Sequence, residues 1–469
     1  MNTEINPIIL AAGLGTRMKS RRAKVLHRAG GLTLIEHVVN TAMEITPPER
    51  ITVVVGHQAR EVEAALAHRQ VQFVHQTEQK GTGHAVMMCR DRLSQRPGYV
   101  VVIYGDGPLL SSSTLRKLID RQAGAQTAAT LITTLLENPR GYGRVILDDR
   151  GMVTGIVEQK AATPVQAAIR LVNSGIYCFR ADLLWKHIDE IRTDNPAGEY
   201  YLTDMPEIFR RHGYDVAPLE LDDPTELLAI NNRVELAEID ALMRARKTKE
   251  LMLAGVTIEK PDTVTIDATV RMGIDCTVGP FAQILGNSEI ADDCEIGACS
   301  IVRNCVLAAG VKIEPFTVIA DSRVEAGAHI GPFARLRMNN TVAADAHIGN
   351  FVELKNTRFG AGAKASHLTY LGDSEIGDGV NIGAGTITCN YDGVKKHKTR
   401  IGANAFIGSN STLVAPIEIG DDSYVGAGSV VTDPVPPAAL ALGRGRQVVK
   451  EGWVAKRRGR KPEAGSPKE

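Results

Sequence analysis

This chain of 469 residues predicts two fold classes in series. An α/β domain with a mostly parallel sheet occupies residues 1–224. A parallel β-helix of hexapeptide repeats occupies residues 255–449. A long helix over residues 225–254 joins them, and residues 450–469 form a tail. Three observations carry this reading. Apolar strand-like runs alternate with helical patterns in the first half. A glycine-free stretch rich in Leu, Ala, Glu and Arg follows. Aliphatic residues then recur every six positions, which fits neither a helix nor a half-buried strand but does fit a β-helix coil.

In the first segment, Pro7-Ile8-Ile9-Leu10 runs into Ala11-Ala12-Gly13. Residues 51–55 run into Gly56, and residues 99–104 into Gly105-Asp106. Helical patterns lie between, over residues 34–42 and 61–67. Such alternation builds a parallel sheet covered by helices, and ligands bind beyond the C-terminal strand ends. In the joining segment, Leu227, Leu228, Val234, Leu236, Ile239, Leu242 and Met243 form a helical stripe from residue 224 to 254.

The six-residue beat runs through Val278, Ile284, Ile290, Ile296 and Val302. It continues from Val324 through Ile330, Leu336, Val342 and Ile348 to Leu354, and from Ile401 to Val431. Three hexads make a triangular coil, so about eight or nine coils form a prism roughly 40 Å long at the strand spacing of sheets. The beat fails between Leu354 and Ile376 and between Ile382 and Ile401. Both gaps read as inserted loops, and they hold His367, Tyr370, Asn390 and Tyr391.

Composition bounds the function. The formal net charge is zero, so no global field favours nucleic acid or an acidic membrane. No apolar run approaches a membrane span, and the first residues lack the basic start of a signal peptide. The seven cysteines contain no CxxC pair and read as free buried thiols of a cytoplasmic protein. The tail beyond about Arg457 is expected to be disordered, with Lys456-Arg457-Arg458 solvated.

Chemistry concentrates at the strand ends. In Leu10-Ala11-Ala12-Gly13-Leu14-Gly15-Thr16-Arg17-Met18, small residues allow close backbone approach and free N–H groups can cradle phosphate. Arg17 adds a forked donor and Lys24 a point charge. Asp106 offers a hard oxygen for Mg²⁺, although a turn aspartate is the alternative. The first string resembles the signature of sugar-1-phosphate nucleotidyltransferases. So do Gln76-Thr77-Glu78-Gln79-Lys80-Gly81-Thr82-Gly83-His84-Ala85 and Tyr104-Gly105-Asp106-Gly107-Pro108-Leu109. That resemblance implies a Rossmann-like nucleotidyltransferase with Arg17 and Lys24 catalytic. It implies Mg²⁺ on Asp106 and Asn231, the neighbouring Asn232 being separable only by alignment. Leu10, Ala11, Ala12, Gly13, Lys24, Tyr104, Gly105 and Asp106 would hold UTP. Gln76, Gly81 and Thr82 would read a uracil edge, and Gly143, Glu158 and Asn173 the sugar. Ala23 stands where that family usually has Pro.

In the second half, Lys364-Ala365-Ser366-His367-Leu368-Thr369-Tyr370-Leu371-Gly372-Asp373 carries a candidate general base, since histidine titrates near neutrality. With residues 383–393 and Lys450-Glu451-Gly452-Trp453, it resembles the bacterial bifunctional N-acetylglucosamine-1-phosphate uridyltransferase/glucosamine-1-phosphate acetyltransferase family. The resemblance covers nearly the whole chain. It implies a left-handed β-helix and a homotrimer with acetyl-transfer sites between neighbouring solenoids. It implies His367 as base, Asn390 orienting base or amine, and Ser409 donating to the oxyanion. Arg337, Lys355, Tyr370 and Asn381 would hold the sugar phosphate. Ala384, Asn390, Tyr391, Ser409, Ala427 and Arg444 would contact acetyl-CoA. Glu353 would assist His367 or make a salt bridge. Ser366 stands where that family commonly has Gly, and Met338-Asn339 stands where it usually has a Pro-Gly turn after Arg337.

The implied activity is two steps: acetylation of glucosamine-1-phosphate from acetyl-CoA, then uridylyl transfer from UTP with release of pyrophosphate. The product, UDP-N-acetylglucosamine, feeds peptidoglycan and lipopolysaccharide synthesis. The rivals are a one-activity nucleotidyltransferase with a structural β-helix and a non-catalytic regulator. His367 with the Asn390-Tyr391 segment speaks against the first. Arg17, Lys24, Asp106 and Asn231 speak against the second.

Overall fold

The computed structural model describes residues 4–221 and 223–459. Contacts divide the chain at Lys247/Thr248, inside the helix Arg233–Leu253. In the first unit seven strands lie in the order Val216–Glu220, Ala129–Leu135, Leu171–Arg180, Tyr99–Tyr104, Ile5–Leu10, Thr52–Val55 and Gln72–His75. All pairings are parallel except those of Leu171–Arg180, which runs against both neighbours. Pro7 sits in a central strand without breaking it. The ladder to Thr52–Val55 starts only at Ile8, so the missing N–H is not needed there.

Helices cover the sheet as amphipathic elements. In Leu34–Met43, Thr33 and Glu36 close a reciprocal capping box, and Leu34, Ile35, Val38, Val39 and Ala42 are buried. The parallel strands Ile5–Leu10, Tyr99–Tyr104 and Gln72–His75 end at the Ala11, Gly105 and Gln76 segments. The strand-end clusters expected from sequence therefore share one edge of the sheet.

The expected continuous helix from residue 224 is not continuous. Pro224–Leu227 is a 3-10 turn, and the helix begins only at Arg233. Asn232 stops it from starting earlier, since its Oδ1 accepts the N–H groups of Val234 and Glu235 at 2.9 and 3.0 Å. Leu236, Ile239 and Met243 pack with Ile230, Met18 and Leu109, whereas Val234 and Leu242 are exposed.

The second unit is a prism of three parallel sheets with eleven, ten and nine strands. That makes about ten coils, roughly 50 Å at the usual strand spacing, rather than eight or nine. Coiling also continues past Val431, because Leu440–Ala441 pairs with Tyr424–Val425. One aliphatic side chain per face per coil points inward, giving a single core from Leu251 to Val435.

The first expected loop does not exist. Phe359, Ala365 and Leu371 carry the beat through the gap between Leu354 and Ile376, displaced because some corners take five residues instead of six. His367 and Tyr370 lie in regular strands, Lys364–His367 and Tyr370–Gly372. The second loop is real. From the inward Thr388 to the inward Ile401 is thirteen positions, where neighbouring corners of that kind take five or six.

Many corners require the left-handed backbone region, which costs a residue with a Cβ roughly 1–2 kcal/mol. Asn and Asp tolerate it best, and Asn304, Asp321, Asn339, Asn356 and Asp373 occupy successive corners between the second and third faces. The corner after Arg337 is one residue longer than its neighbours, so both Met338 and Asn339 are left-handed, with φ of 64° and 61°. Met338 is half exposed, so its side chain contributes little burial. Met338→Gly is therefore expected to stabilise the chain by up to about 1 kcal/mol in denaturant unfolding, and Met338→Ala not to. Equal effects of the two would reject corner strain as the cause.

Of the seven cysteines, all free, Cys299 and Cys389 are only half buried. The tail forms a short helix, Trp453–Arg457, and the expected disorder beyond it lies mainly in residues 460–469, outside the described residues.

Candidate active sites

The first-unit site is organised by one ammonium. Lys24 Nζ pairs with Asp106 and donates to Asn231 Oδ1 at 3.1 Å. Arg17 Nη2 donates to the same oxygen at 2.7 Å. Four residues from three distant segments thus converge. Asn232 instead caps the helix and bonds Glu235, so the structure separates the two asparagines that the sequence could not. Asp106 and Asn231 both present hard oxygens to a cation already, which suits a divalent metal between them.

Around this core, Gly15 is left-handed at φ 60°, and a Cβ there would lie 2.7 Å from Lys24 Cβ. Gly13 and Leu14 are exposed, and among the described residues their N–H groups meet no backbone acceptor. Leu10 accepts the N–H of Gly105 at 2.9 Å, and Ala11 donates to Val54 at 2.9 Å, tying the loop to both neighbouring strand ends. Ala23 has φ −53°, within the range proline fixes, so its departure leaves the backbone as proline would.

Gln76 is buried, and its Nε2 lies 3.1 Å from both Gly81 O and His84 Nδ1. Thr82 Oγ1 accepts the Leu202 N–H at 3.1 Å. The three expected base-reading residues therefore adjoin one another. Gly143 packs on Glu158, since a Cβ there would meet Glu158 Oε1 at 3.4 Å. Asn173 Oδ1 accepts from Gly175 N and Tyr177 Oη at 3.0 and 3.2 Å. Gly175 is indispensable, because a Cβ there would strike the Tyr104 ring at 2.3 Å. Burial pushes Tyr104 and Glu158 above their ordinary values, with Asp106 and Glu158 adding to the effect on Tyr104.

Sequence reasoning missed Asp204. Burial, then Glu207 and Glu158, push it up to about 6. Between about 4 and 6 the folded chain holds a proton that the unfolded chain has lost, so this group's stabilisation is complete below pH 4 and is lost as pH rises through 6. Asp204→Asn should raise the melting midpoint at pH 7.5 and leave it unchanged at pH 4. Calorimetry across that range checks this, and an equal shift at both ends counts against it.

In the second unit, Arg337, Lys355 and Tyr370 lie on one face in successive coils. Lys355 is buried, 3.2 Å from Asp373 Oδ2. Asn390 Nδ2 donates to that oxygen at 2.6 Å and Asn356 Nδ2 to Asp373 Oδ1 at 2.7 Å. Burial works against the Asp373 carboxylate, but Asn356, Lys355 and Asn390 hold it below its usual value. Lys396, from the inserted loop, sits beside Lys355, whose charge pushes it below the usual lysine value. Sequence reasoning missed Asp373 and Lys396; the Lys395-Lys396 pair inside the insertion was the available signal. Arg337 Nε bonds Glu353 at 2.6 Å, so Glu353 makes the expected salt bridge.

Asn390 bonds Asp373, not His367. His367 is exposed at the corner between the first and second faces, while Asn390 opens the loop at the other end of the second face. Asn381 stands on the first face, paired in register with Lys364. Tyr391 is exposed, its hydroxyl donating to Gly393 O at 2.6 Å. Ala384, Ser409 and Ala427 occupy the His367 corner in later coils, and Arg444 Nη1 donates to Ala427 O at 2.8 Å. Of the implied acyl-carrier contacts, Ala384, Ser409, Ala427 and Arg444 line one edge while Asn390 and Tyr391 lie at the loop; of the implied phosphate contacts, Arg337, Lys355 and Tyr370 share the second face and Asn381 stands on the first.

Residues 7–164 match the MobA-like NTP transferase domain. Residues 269–304 match the bacterial transferase hexapeptide (six repeats), and residues 398–433 the hexapeptide repeat of succinyl-transferase. An NTP-transferase domain followed by hexapeptide coils defines a two-domain transferase. The chain is 59% identical over 451 residues to "Bifunctional protein GlmU" of Solibacter usitatus (strain Ellin6076), covering 96% of this chain and 97% of that one. It is 49% identical over 453 residues to the protein of that name from Koribacter versatilis (strain Ellin345), covering 96% of each. It is 44% identical over 461 residues to that of Brevibacillus brevis (strain 47 / JCM 6285 / NBRC 100599), covering 98% and 99%. The chain belongs to the GlmU family. It is a bifunctional enzyme, a uridylyltransferase and an acetyltransferase, and its second unit is a left-handed parallel β-helix.

Proposed function

We propose that the β-helix acetylates glucosamine-1-phosphate from acetyl-CoA and that the first unit couples the product to UTP, releasing pyrophosphate. The observation that carries the second-unit reading is the cluster of Lys355 and Lys396 beside Asp373 with Arg337, paired to Glu353, next to them. Three cations against two carboxylates leave one positive charge for a sugar phosphate. Tyr370 and Asn381 hold the sugar. His367, whose exposed imidazole has no protein hydrogen-bond partner among the described residues, takes the proton from the sugar nitrogen as that nitrogen attacks the thioester. Ser409 donates to the developing oxyanion, and Asn390 orients the amine while held by Asp373. Ala384, Tyr391, Ala427 and Arg444 position the coenzyme A arm. A homotrimer supplies the missing walls of this open site, because the edge bearing His367 and the loop bearing Tyr391 are both exposed.

In the first unit Arg17 and Lys24 neutralise the triphosphate while the exposed N–H groups of the Gly13 loop cradle it. Gln76, Gly81 and Thr82 read the base, and Gly143, Glu158 and Asn173 the sugar. Asp106 and Asn231 hold Mg²⁺, which supplies charge neutralisation at the phosphates when bound. Lys24 then moves from Asp106 to phosphate. The reactions run in the cytoplasm, where seven free thiols stay reduced, and no helix among the described residues is long and apolar enough to cross a membrane.

The test is thiol release from acetyl-CoA with glucosamine-1-phosphate and no UTP. His367→Ala should lose about 10²–10⁴-fold in this rate, as expected for removal of a general base, with uridylyl transfer unaffected. A folded wild type that transfers uridylyl groups but releases no thiol would falsify the acetyltransferase assignment. Asp106→Asn should do the reverse, losing uridylyl transfer while thiol release continues, and retained uridylyl transfer would count against Asp106 as a metal ligand.

A further inference from the structure

One side-chain cluster in the first unit serves neither reaction. His187 ends the helix Ala181–His187, Glu190 ends the turn Ile188–Glu190, and His212 caps Met205–Arg211. Glu190 Oε1 lies 2.7 Å from His187 Nδ1 and 2.8 Å from His212 Nε2, which also reaches Oε2 at 3.0 Å. The three ligand atoms all lie within 4.8 Å of one another. We propose that His187 Nδ1, the Glu190 carboxylate and His212 Nε2 bind one borderline transition-metal cation, with Zn²⁺ the best fit.

The donor set is right for that class. Two imidazoles and a carboxylate suit Zn²⁺, Co²⁺ or Ni²⁺, whereas Mg²⁺ prefers oxygen ligands alone. Tetrahedral ligands about 2.0–2.1 Å from zinc stand roughly 3.3 Å apart. The two histidine–carboxylate pairs here, at 2.7 and 2.8 Å, are slightly closer than that, so on binding the carboxylate would back away from both rings. Glu190 and His212 are 36% and 41% exposed, which leaves an entry path and room for a water as fourth ligand.

His187 is prepared for the task. Its ring is buried, edge-on to Phe209 at 6.2 Å and 5.8 Å from Tyr214. Its far nitrogen, Nε2, is buried with no hydrogen-bond partner. Glu190 holds the proton on Nδ1 in the metal-free chain; with a cation on Nδ1 the proton stands on Nε2 instead, and the metal–nitrogen bond has to outweigh leaving that N–H unpaired. The binding would clip the end of one helix to the end of another twenty-five residues on. Its consequence is stability of this unit, not turnover.

The experiment uses the full-length protein in saturating Mg²⁺, titrated with Co²⁺ and followed by visible absorption, then with Zn²⁺ in competition and by thermal unfolding. One Co²⁺ per chain with a nitrogen and oxygen spectrum is expected, along with a rise in melting midpoint in Zn²⁺. His212→Ala, at a largely solvated position, should weaken Zn²⁺ binding by more than about 100-fold, beyond the loss an outer partner causes. Uridylyl transfer in Mg²⁺ should be unchanged by it. Glu190→Gln should weaken binding while preserving the shape of the cluster. Absence of a Co²⁺ band at millimolar metal rejects the site. So does a band that survives His212→Ala, or one with the thiolate charge-transfer signature of cysteine ligation.

Discussion

The coil-to-coil backbone ladder of the β-helix fixes nearly everything in the second unit. Each strand pairs in register with the strand one coil away on either side, so every coil must return to the same height. The interior then accepts one side chain per face and little else. Any chemistry must be placed on outward positions or at corners. Many corners are left-handed; Phe281, Phe316, Phe333, Phe351 and Leu368 take that conformation at the corners between the first and second faces, whereas those between the second and third favour Asn and Asp. Asp373 is such a corner residue, with φ 50°. The residue that holds Lys355 and Asn390 was thus positioned first by a packing rule.

The rule is bent at one place. Thr388 takes an inward position where other coils carry an aliphatic side chain, and its hydroxyl accepts the Gly372 N–H at 2.9 Å. A Cβ on Gly372 would strike the Tyr370 hydroxyl at 2.3 Å and Asn390 Nδ2 at 2.6 Å. A polar core residue and a glycine together open space for two site side chains. The inserted loop follows at once, and it is stiffened by Asp392, whose Oδ1 accepts the N–H groups of Val394 and Lys395 at 2.7 Å each. Lys396 therefore approaches Lys355 from a braced hairpin, which can offset the repulsion between two ammonium groups.

The periodicity of six made the β-helix legible, because no other fold asks for it. The first apparent break was illegible as regular structure for a definite reason. Five-residue corners shift the phase, and Ala365 is too small to register as a beat. The joining helix misled in the opposite direction. Its composition is helical back to Pro224, but Asn232 spends its side chain on capping, and that choice is invisible to propensity. Among site residues, those in glycine-rich strings could be read, since such strings have few structural uses. Asp204 could not. Its raised titration comes from Glu207 and Glu158 and from burial, and only Glu207 is near it in sequence.

The two sites solve the same electrostatic problem with different balances. Both must take phosphate, and both already hold cations against a carboxylate. In the second unit Glu353 offsets Arg337, and Lys355 with Lys396 outnumber Asp373, so the cluster keeps a net positive charge with no metal to supply it. In the first unit Arg17 and Lys24 face Asp106 and the neutral Asn231. A second carboxylate at Asn231 would pin both cations to protein. An amide supplies an acceptor oxygen with a weaker hold on both cations than a carboxylate would have. With Asn231 neutral, the carboxylate of Asp106 holds Lys24 while Arg17 is held there by an amide oxygen, so the two cations are bound to the protein with unequal strength.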